Sequence, residues 1–168
     1  MLKKSLLISS LLGLSFAASA DWQFGGGYSS ISSDGNTPDV TVGALYGTAG
    51  YQFDIDQNGL SLIPELRLGV GVVDDNVGAV DVDLDRYIAA SFRVQQAFDN
   101  GMYIYAMPTY ANVKLEAELN GNKATNSNSD WGYGLGIGYQ FSKNSGFELS
   151  YEDVSDADIV SIGYKYSF

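Results

Sequence analysis

The chain has 168 residues, with 20 acidic and 9 basic side chains, a net charge of −11, and neither histidine nor cysteine. An acidic surface repels phosphate backbones, which excludes nucleic acid as a partner. Without imidazole or thiol there is no histidine-activated hydroxyl, no cysteine nucleophile, no disulfide framework and no cysteine lipid anchor.

Residues 1–20 read as a cleaved signal peptide. Lys3 and Lys4 give a positive start, a mostly apolar run follows, and Ala18-Ser19-Ala20 supplies an A-x-A cleavage site. That apolar run is too short to be a spanning helix, which needs about 20 residues. The remaining 148 residues, 21–168, are read as one domain; with both leader lysines gone it keeps seven basic against 20 acidic side chains, a balance of −13.

Alternation of apolar and polar residues between turn signals predicts eight strands. The first covers 22–31 and is followed by a polar segment, 32–41. The second, 42–53, ends at Asp54-Ile-Asp-Gln-Asn-Gly59, and the third, 60–73, leads into Asp74-Asp-Asn-Val-Gly-Ala79. The fourth, 80–98, closes on Asp99-Asn-Gly101, a strong hairpin signal. The fifth, 102–119, precedes the most polar segment, 120–130, read as a loop. The sixth, 131–141, the seventh, 147–154, and the eighth, 159–168, complete the set, the last two joined by a short acidic turn.

The eighth strand alternates most cleanly. Val160, Ile162, Tyr164, Tyr166 and Phe168 share one face, with Ser161, Gly163, Lys165 and Ser167 on the other. Aromatic residues cluster on the apolar parity near the ends that carry the termini, among them Trp22, Tyr51, Phe98, Tyr103, Tyr139 and Phe168; Trp131, Tyr133 and Tyr151 stand near the opposite ends. Two such bands are what a membrane barrel places at its two interfaces. Window-averaged hydropathy misses strands of this kind, which accounts for a mean hydropathy near zero.

The leader, the length, the eight strands, the run Gly132, Gly134, Gly136 and Gly138 before Tyr139 and Phe141, and the terminal Tyr166-Ser167-Phe168 together resemble the small eight-stranded outer-membrane β-barrel family, of the OmpX, Ail and OmpA-membrane-domain type. The resemblance implies an all-β, antiparallel, transmembrane up-and-down barrel in the outer membrane of a Gram-negative bacterium. Lipid and lipopolysaccharide would surround it, the termini would lie in the periplasm, and the apolar parity would face lipid. In that family the terminal aromatic belongs to the signal read by the barrel-assembly machinery, a role that falls here on Tyr166 and Phe168.

A barrel of eight strands is just wide enough for side chains to fill its interior. The inward parity carries Tyr46, Glu65, Arg67, Asp81, Asp83, Asp85, Tyr87, Arg93, Tyr110, Lys114, Glu116, Glu148 and Lys165. Hairpin centring sets Glu148 opposite Lys165, Tyr87 opposite Arg67, and Lys114 opposite Tyr87, with Asp85 diagonal to both Arg67 and Lys114. It also sets Lys114 and Glu116 against Gly136 and Gly134, giving those glycines a steric purpose. The expectation is a structural ionic cluster centred on Arg67, Asp85, Lys114 and Glu116, since buried charges must be paired.

Catalysis by paired carboxylates has no distinguishing spacing here, so a non-enzymatic protein without cofactors is expected. Asp81-Val-Asp83-Val-Asp85 invites a cation, but one straight strand cannot surround an ion that wants six to eight oxygens, so no metal is assigned. The family resemblance suggests a structural or surface-interaction role, in adhesion or resistance, with a host or other surface protein as partner. A narrow porin-like channel is the alternative, and a soluble ligand-binding β-barrel comes third.

Overall fold

The computed structural model describes residues 22–33, 40–55, 58–73, 75–77, 80–119, 122–155 and 157–168. The expected leader, 1–20, lies outside the described residues. Eight long strands form the wall: β1 (Trp22–Ser33), β2 (Val40–Tyr51), β3 (Leu60–Val73), β4 (Val80–Ala97), β5 (Met102–Leu119), β6 (Asn122–Gln140), β7 (Ser145–Val154) and β8 (Ala157–Ser167). Two short ladders, Phe53–Asp54 and Asp75–Val77, extend the sheet beside β3 and β4. Each long strand pairs antiparallel with its neighbours in sequence, and β1 pairs with β8 from Gln23↔Ser167 to Ser33↔Ala157, which closes an eight-stranded barrel.

The strands form where period-two alternation can sort side chains to the two faces of one wall. In β8 Val160, Ile162 and Tyr164 are exposed on the outer face, while Ser161, Gly163 and Lys165 are buried inside. An outer belt of Leu66, Leu68, Val70, Ile88, Ile137, Leu149 and Ile162 covers the middle height. Aromatic rings pack at the end that carries the termini: Trp22 lies edge-on to Tyr51 at 5.3 Å and Phe24 edge-on to Phe168 at 5.6 Å. At the other end Tyr110 and Trp131 meet at 5.2 Å.

The wall is not of even height. The segment 122–130, expected as a loop, is strand: β5 and β6 stay paired from Met102↔Tyr139 up to Leu119↔Asn122. Its Asn, Ser and Thr residues read as a loop because they lack the apolar–polar alternation by which a strand is recognised.

Strand parity is corrected in two places. In β4 the ladder passes from Leu84↔Leu115 to Arg86↔Lys114, so Asp85 is the extra residue of a β-bulge. A bulge reverses which face the following residues occupy. Leu84 therefore points inward, with 4% exposure, and Asp85 is exposed. In β5 the whole parity is opposite to that expected: Tyr103, Tyr105, Met107 and Thr109 are buried inside, and Tyr110 is on the outer face.

Candidate functional site

The lumen holds the chemistry, in three layers. Near the termini it is lined by amides and hydroxyls. Gln23 hydrogen-bonds Gln52, Gln52 Nε2 donates to Asp54 Oδ1 at 2.6 Å, and Ser61 Oγ donates to the same oxygen at 2.9 Å.

The middle layer is ionic. Arg93, 1% exposed, sends Nη1 and Nη2 to the two carboxylate oxygens of Glu148 at 2.8 and 3.2 Å, and Nη2 to Glu65 Oε2 at 3.2 Å. Lys165 Nζ stands 3.3 Å from Glu148 and 3.8 Å from Glu65. Glu65 then links to Arg67 at 3.6 Å, and Arg67 pairs with Glu152, which also accepts a hydrogen bond from Thr109 Oγ1 at 3.1 Å. Aromatic rings frame both guanidinium groups. Arg93 Cζ lies 3.9 Å from the Tyr105 ring centroid, and Arg67 Cζ lies 5.3 Å from that of Tyr46. Tyr103 donates to Glu148 at 3.3 Å and Tyr87 accepts from Arg67 at 3.3 Å. Three cations thus face three carboxylates, and the described part of this network carries no net charge.

Above it the lumen turns apolar. Ile31, Val42, Ala44, Leu84, Ala89, Ala111, Val154 and Ile159 pack together around the upper side of Tyr87. A uniformly polar interior was expected; the upper third is a greasy layer, partly because the bulge brings Leu84 inside.

Of the site residues expected from sequence, Tyr46, Glu65, Arg67, Arg93, Glu148 and Lys165 meet in the middle layer. Their registers differ by two residues from those expected, since Glu148 stands opposite Gly163 and Tyr87 opposite Gly69. Diagonal reach across the wall still brings Lys165 to Glu148 and Arg67 to Tyr87. Asp85 and Lys114 are not in the cluster. Instead, they pair with each other on the outside, Nζ to Oδ2 at 2.9 Å. The backbone of Glu116 stands opposite Thr125 and Asp83, and its side chain lies outside the described residues, as does that of Asp81. Tyr166 and Phe168 pack edge-on at 4.8 Å on the outer face.

The contrast between the two kinds of ion pair is testable. Lys114 and Asp85 are 28% and 41% exposed, so Asp85→Asn should change unfolding free energy by no more than about 1 kcal/mol in a urea titration. A larger loss would mean that the bulge itself depends on the pair.

Sequence reasoning missed Glu152, Tyr103, Tyr105, Met107 and Thr109. Glu152 was accessible to it, because Glu148 and Glu152 share a parity on β7. The glycines of β6 do make room, but for other occupants. Gly138 is level with Tyr103, Gly136 with Tyr105 and Gly134 with Met107. A Cβ at Gly136 or Gly138 would run into the tyrosine ring beside it, and one at Gly134 would stand 2.6 Å from Glu152 Cγ.

Three comparisons bear on this architecture. The model of the outer membrane protein beta-barrel domain matches residues 5–168. Among solved structures, Neisserial surface protein A superposes with a TM-score of 0.67 at 14% identity, covering 90% of this chain and 100% of that one. Ail, the attachment invasion locus protein of Yersinia pestis, gives 0.64 at 16% identity with the same coverages, and the N-terminal β-barrel domain of Pseudomonas aeruginosa OprF gives 0.55 at 11%, covering 89% and 100%. At such identities the likeness is one of fold. No curated protein matches the chain. With an apolar outer belt, aromatic girdles and the match across nearly all its length, the chain belongs to the outer membrane protein beta-barrel domain family and resides in the outer membrane.

Proposed function

We propose that this barrel is a closed, non-enzymatic outer-membrane protein whose work is done at its outward end rather than through its lumen. The observation that carries this reading is the pair of layers inside the wall. The charged groups of the middle layer neutralise one another across the bore, and the apolar layer above them leaves permeating ions nothing to bind. A hydrophobic constriction of this kind opposes conduction by dewetting. The termini are assigned to the periplasm, where the turns at 55–59, 98–101 and 141–144 are short. The opposite end is assigned to the cell surface.

The surface device is the tall part of the wall. Beyond the Tyr110↔Trp131 pair, β4, β5 and β6 continue as a sheet, and from Trp131 to Asn122 the rise is about 30 Å along the strand. Among the described residues, 122–131 pair with β5 alone, because β7 joins β6 only from Gly132↔Val154 onward. A free edge of this kind accepts an extended segment from another protein through backbone hydrogen bonds. The Ail barrel has also been solved in complex with the heparin analogue sucrose octasulfate. This chain's loop end is mainly acidic, which favours a protein partner over a soluble polyanion.

Planar-bilayer recording tests the closed lumen. The protein should give no steady channels, and Arg67→Ala should not create any as long as the apolar layer is intact. Steady channels whose conductance changes on Arg67→Ala would establish the narrow-channel reading instead. Protease added to intact cells should cut within 34–39 or at 120–121; cutting at the short turns would invert the orientation.

A further inference from the structure

The tall strands carry a second alternation, above the greasy layer of the lumen. On β4 the sequence reads Val80-Asp81-Val82-Asp83-Leu84, and on β5 Val113-Lys114-Leu115-Glu116-Ala117-Glu118-Leu119. Backbone register sets Leu84 opposite Leu115 and Val82 opposite Ala117, so the apolar positions share rows. The acidic positions fall in the rows between, Asp83 opposite Glu116 and Asp81 opposite Glu118. Leu84 is buried inside and Val113 packs against the greasy layer, which identifies the apolar parity as the inward one. The apolar strip thus continues that layer upward, about 20 Å from Val113 to Leu119 and two strands wide.

A sheet with one apolar face buries it against another element. β7 accompanies β6 only as far as Gly132↔Val154, whereas β5 runs on to Leu119, so the wall beside the strip is low. Two observations select the cover. The width of two strands, about 10 Å, is the diameter of one helix, and a 20 Å strip matches about 13 helical residues. Acids also flank the strip in its own rows: Asp75 stands opposite Val82 on one side, and Asp130 opposite Ala111 on the other. The connections at this end add Asp34, Asp39, Asp74 and Asp156, and no basic residue.

We infer that the inward face of the tall sheet docks a cationic amphipathic helix of another protein. The helix sets its apolar stripe along Val113, Leu115, Ala117 and Leu119, and its basic flanks meet Asp75 and Asp130. Apolar burial supplies the affinity, while the acids set the sign of the partner's charge. An uncharged amphiphile would satisfy the strip and leave the acids without a purpose. This surface is separate from the free edge of β6, and it rests on the cell-surface orientation proposed above.

The test uses the full-length barrel in phosphatidylcholine vesicles, with empty vesicles as background. The probe is a dye-labelled synthetic helix of about 14 residues, made of leucine, alanine and lysine with the leucines in one stripe. Fluorescence anisotropy should show saturable binding to the barrel. A peptide of the same composition with its stripe scrambled should bind about tenfold more weakly, and so should the striped peptide on Leu115→Ser with Leu119→Ser. Leu119→Ser alone serves if the pair lacks the folded gel band. Asp75→Asn with Asp130→Asn should weaken binding at low salt, whereas Glu116→Gln with Glu118→Gln removes the same charge from the other face and should not. Equal binding of the scrambled peptide, or full binding to the leucine variants, would overturn the site. So would equal binding of a peptide with glutamate in place of lysine, or an equal loss from the two charge variants. A separate Ser129→Cys variant, probed on intact cells with a membrane-impermeant thiol reagent, reports orientation. If it reacts while the peptide fails to bind, the strip alone is wrong; if it does not react, the orientation is wrong and the proposal falls with it.

Discussion

Replacing Arg93 with alanine should destabilise the folded barrel by about 3–5 kcal/mol, the cost of leaving a buried charge without its partner. Arg93 bridges Glu148 and Glu65 while its guanidinium covers the Tyr105 ring at 3.9 Å. Truncation leaves Glu148 with Lys165 alone and Glu65 with only the longer contacts to Lys165 and Arg67, in a wall that admits little solvent. Arg93→Lys should recover only part of the loss, because an ammonium keeps the charge but cannot span both carboxylates in a planar fork. Combining Arg93→Met with Glu148→Gln should recover more, since removing both charges also removes the unpaired one. Urea unfolding from vesicles, followed by tryptophan emission, measures each step. A loss under about 1 kcal/mol for Arg93→Ala would place the network among weak surface-like pairs and remove it as a determinant of stability.

Gly136→Ala is the second large effect expected. A single methyl there enters the Tyr105 ring. The ring cannot swing away, because the Arg93 guanidinium packs against it. Overpacking of this kind costs about 1–3 kcal/mol. The signature lies in the coupling. Tyr105→Leu shortens the side chain, so Gly136→Ala should cost much less in that background, and the double-mutant cycle should give a coupling of about 1 kcal/mol or more. Additive costs would mean that the glycine serves the backbone rather than the ring.

These two residues also mark how far the sequence could be read. Arg93 was placed inside by period-two parity, and the structure buries it there at 1% exposure. The same parity put Lys114 inside β5, whereas its side chain pairs with Asp85 on the outer face. The tyrosines of β5 could not correct its parity. A phenol packs outward against lipid or inward onto a carboxylate with equal ease, as Tyr110 and Tyr103 do. The bulge at Asp85 left no signal either, since no glycine marks it. The glycines of β6 announced a crowded lumen, while the identity of what crowds it depended on the β5 parity. Architecture was therefore legible from alternation and turns, and the ionic pairs were legible to within one diagonal.

The join between β1 and β8 has a further consequence, for the order of folding. Every other seam joins neighbours in sequence, whereas this one brings together residues such as Ser29 and Ser161, 132 positions apart and hydrogen-bonded at 2.7 Å. Closing so long a loop carries the largest entropic cost in the molecule, and contacts of high sequence separation slow folding. The seven hairpins can zip in turn, but Lys165 and Tyr46 approach their neighbours across this join only when the ring shuts. The seam is also lined with Gly25, Gly27 and Gly163, at which a Cβ on Gly27 would strike the backbone of β8. Bare backbone there lets the two terminal strands come together without first sorting side chains. Closure is then the late step, and much of the ionic layer's cohesion arrives with it.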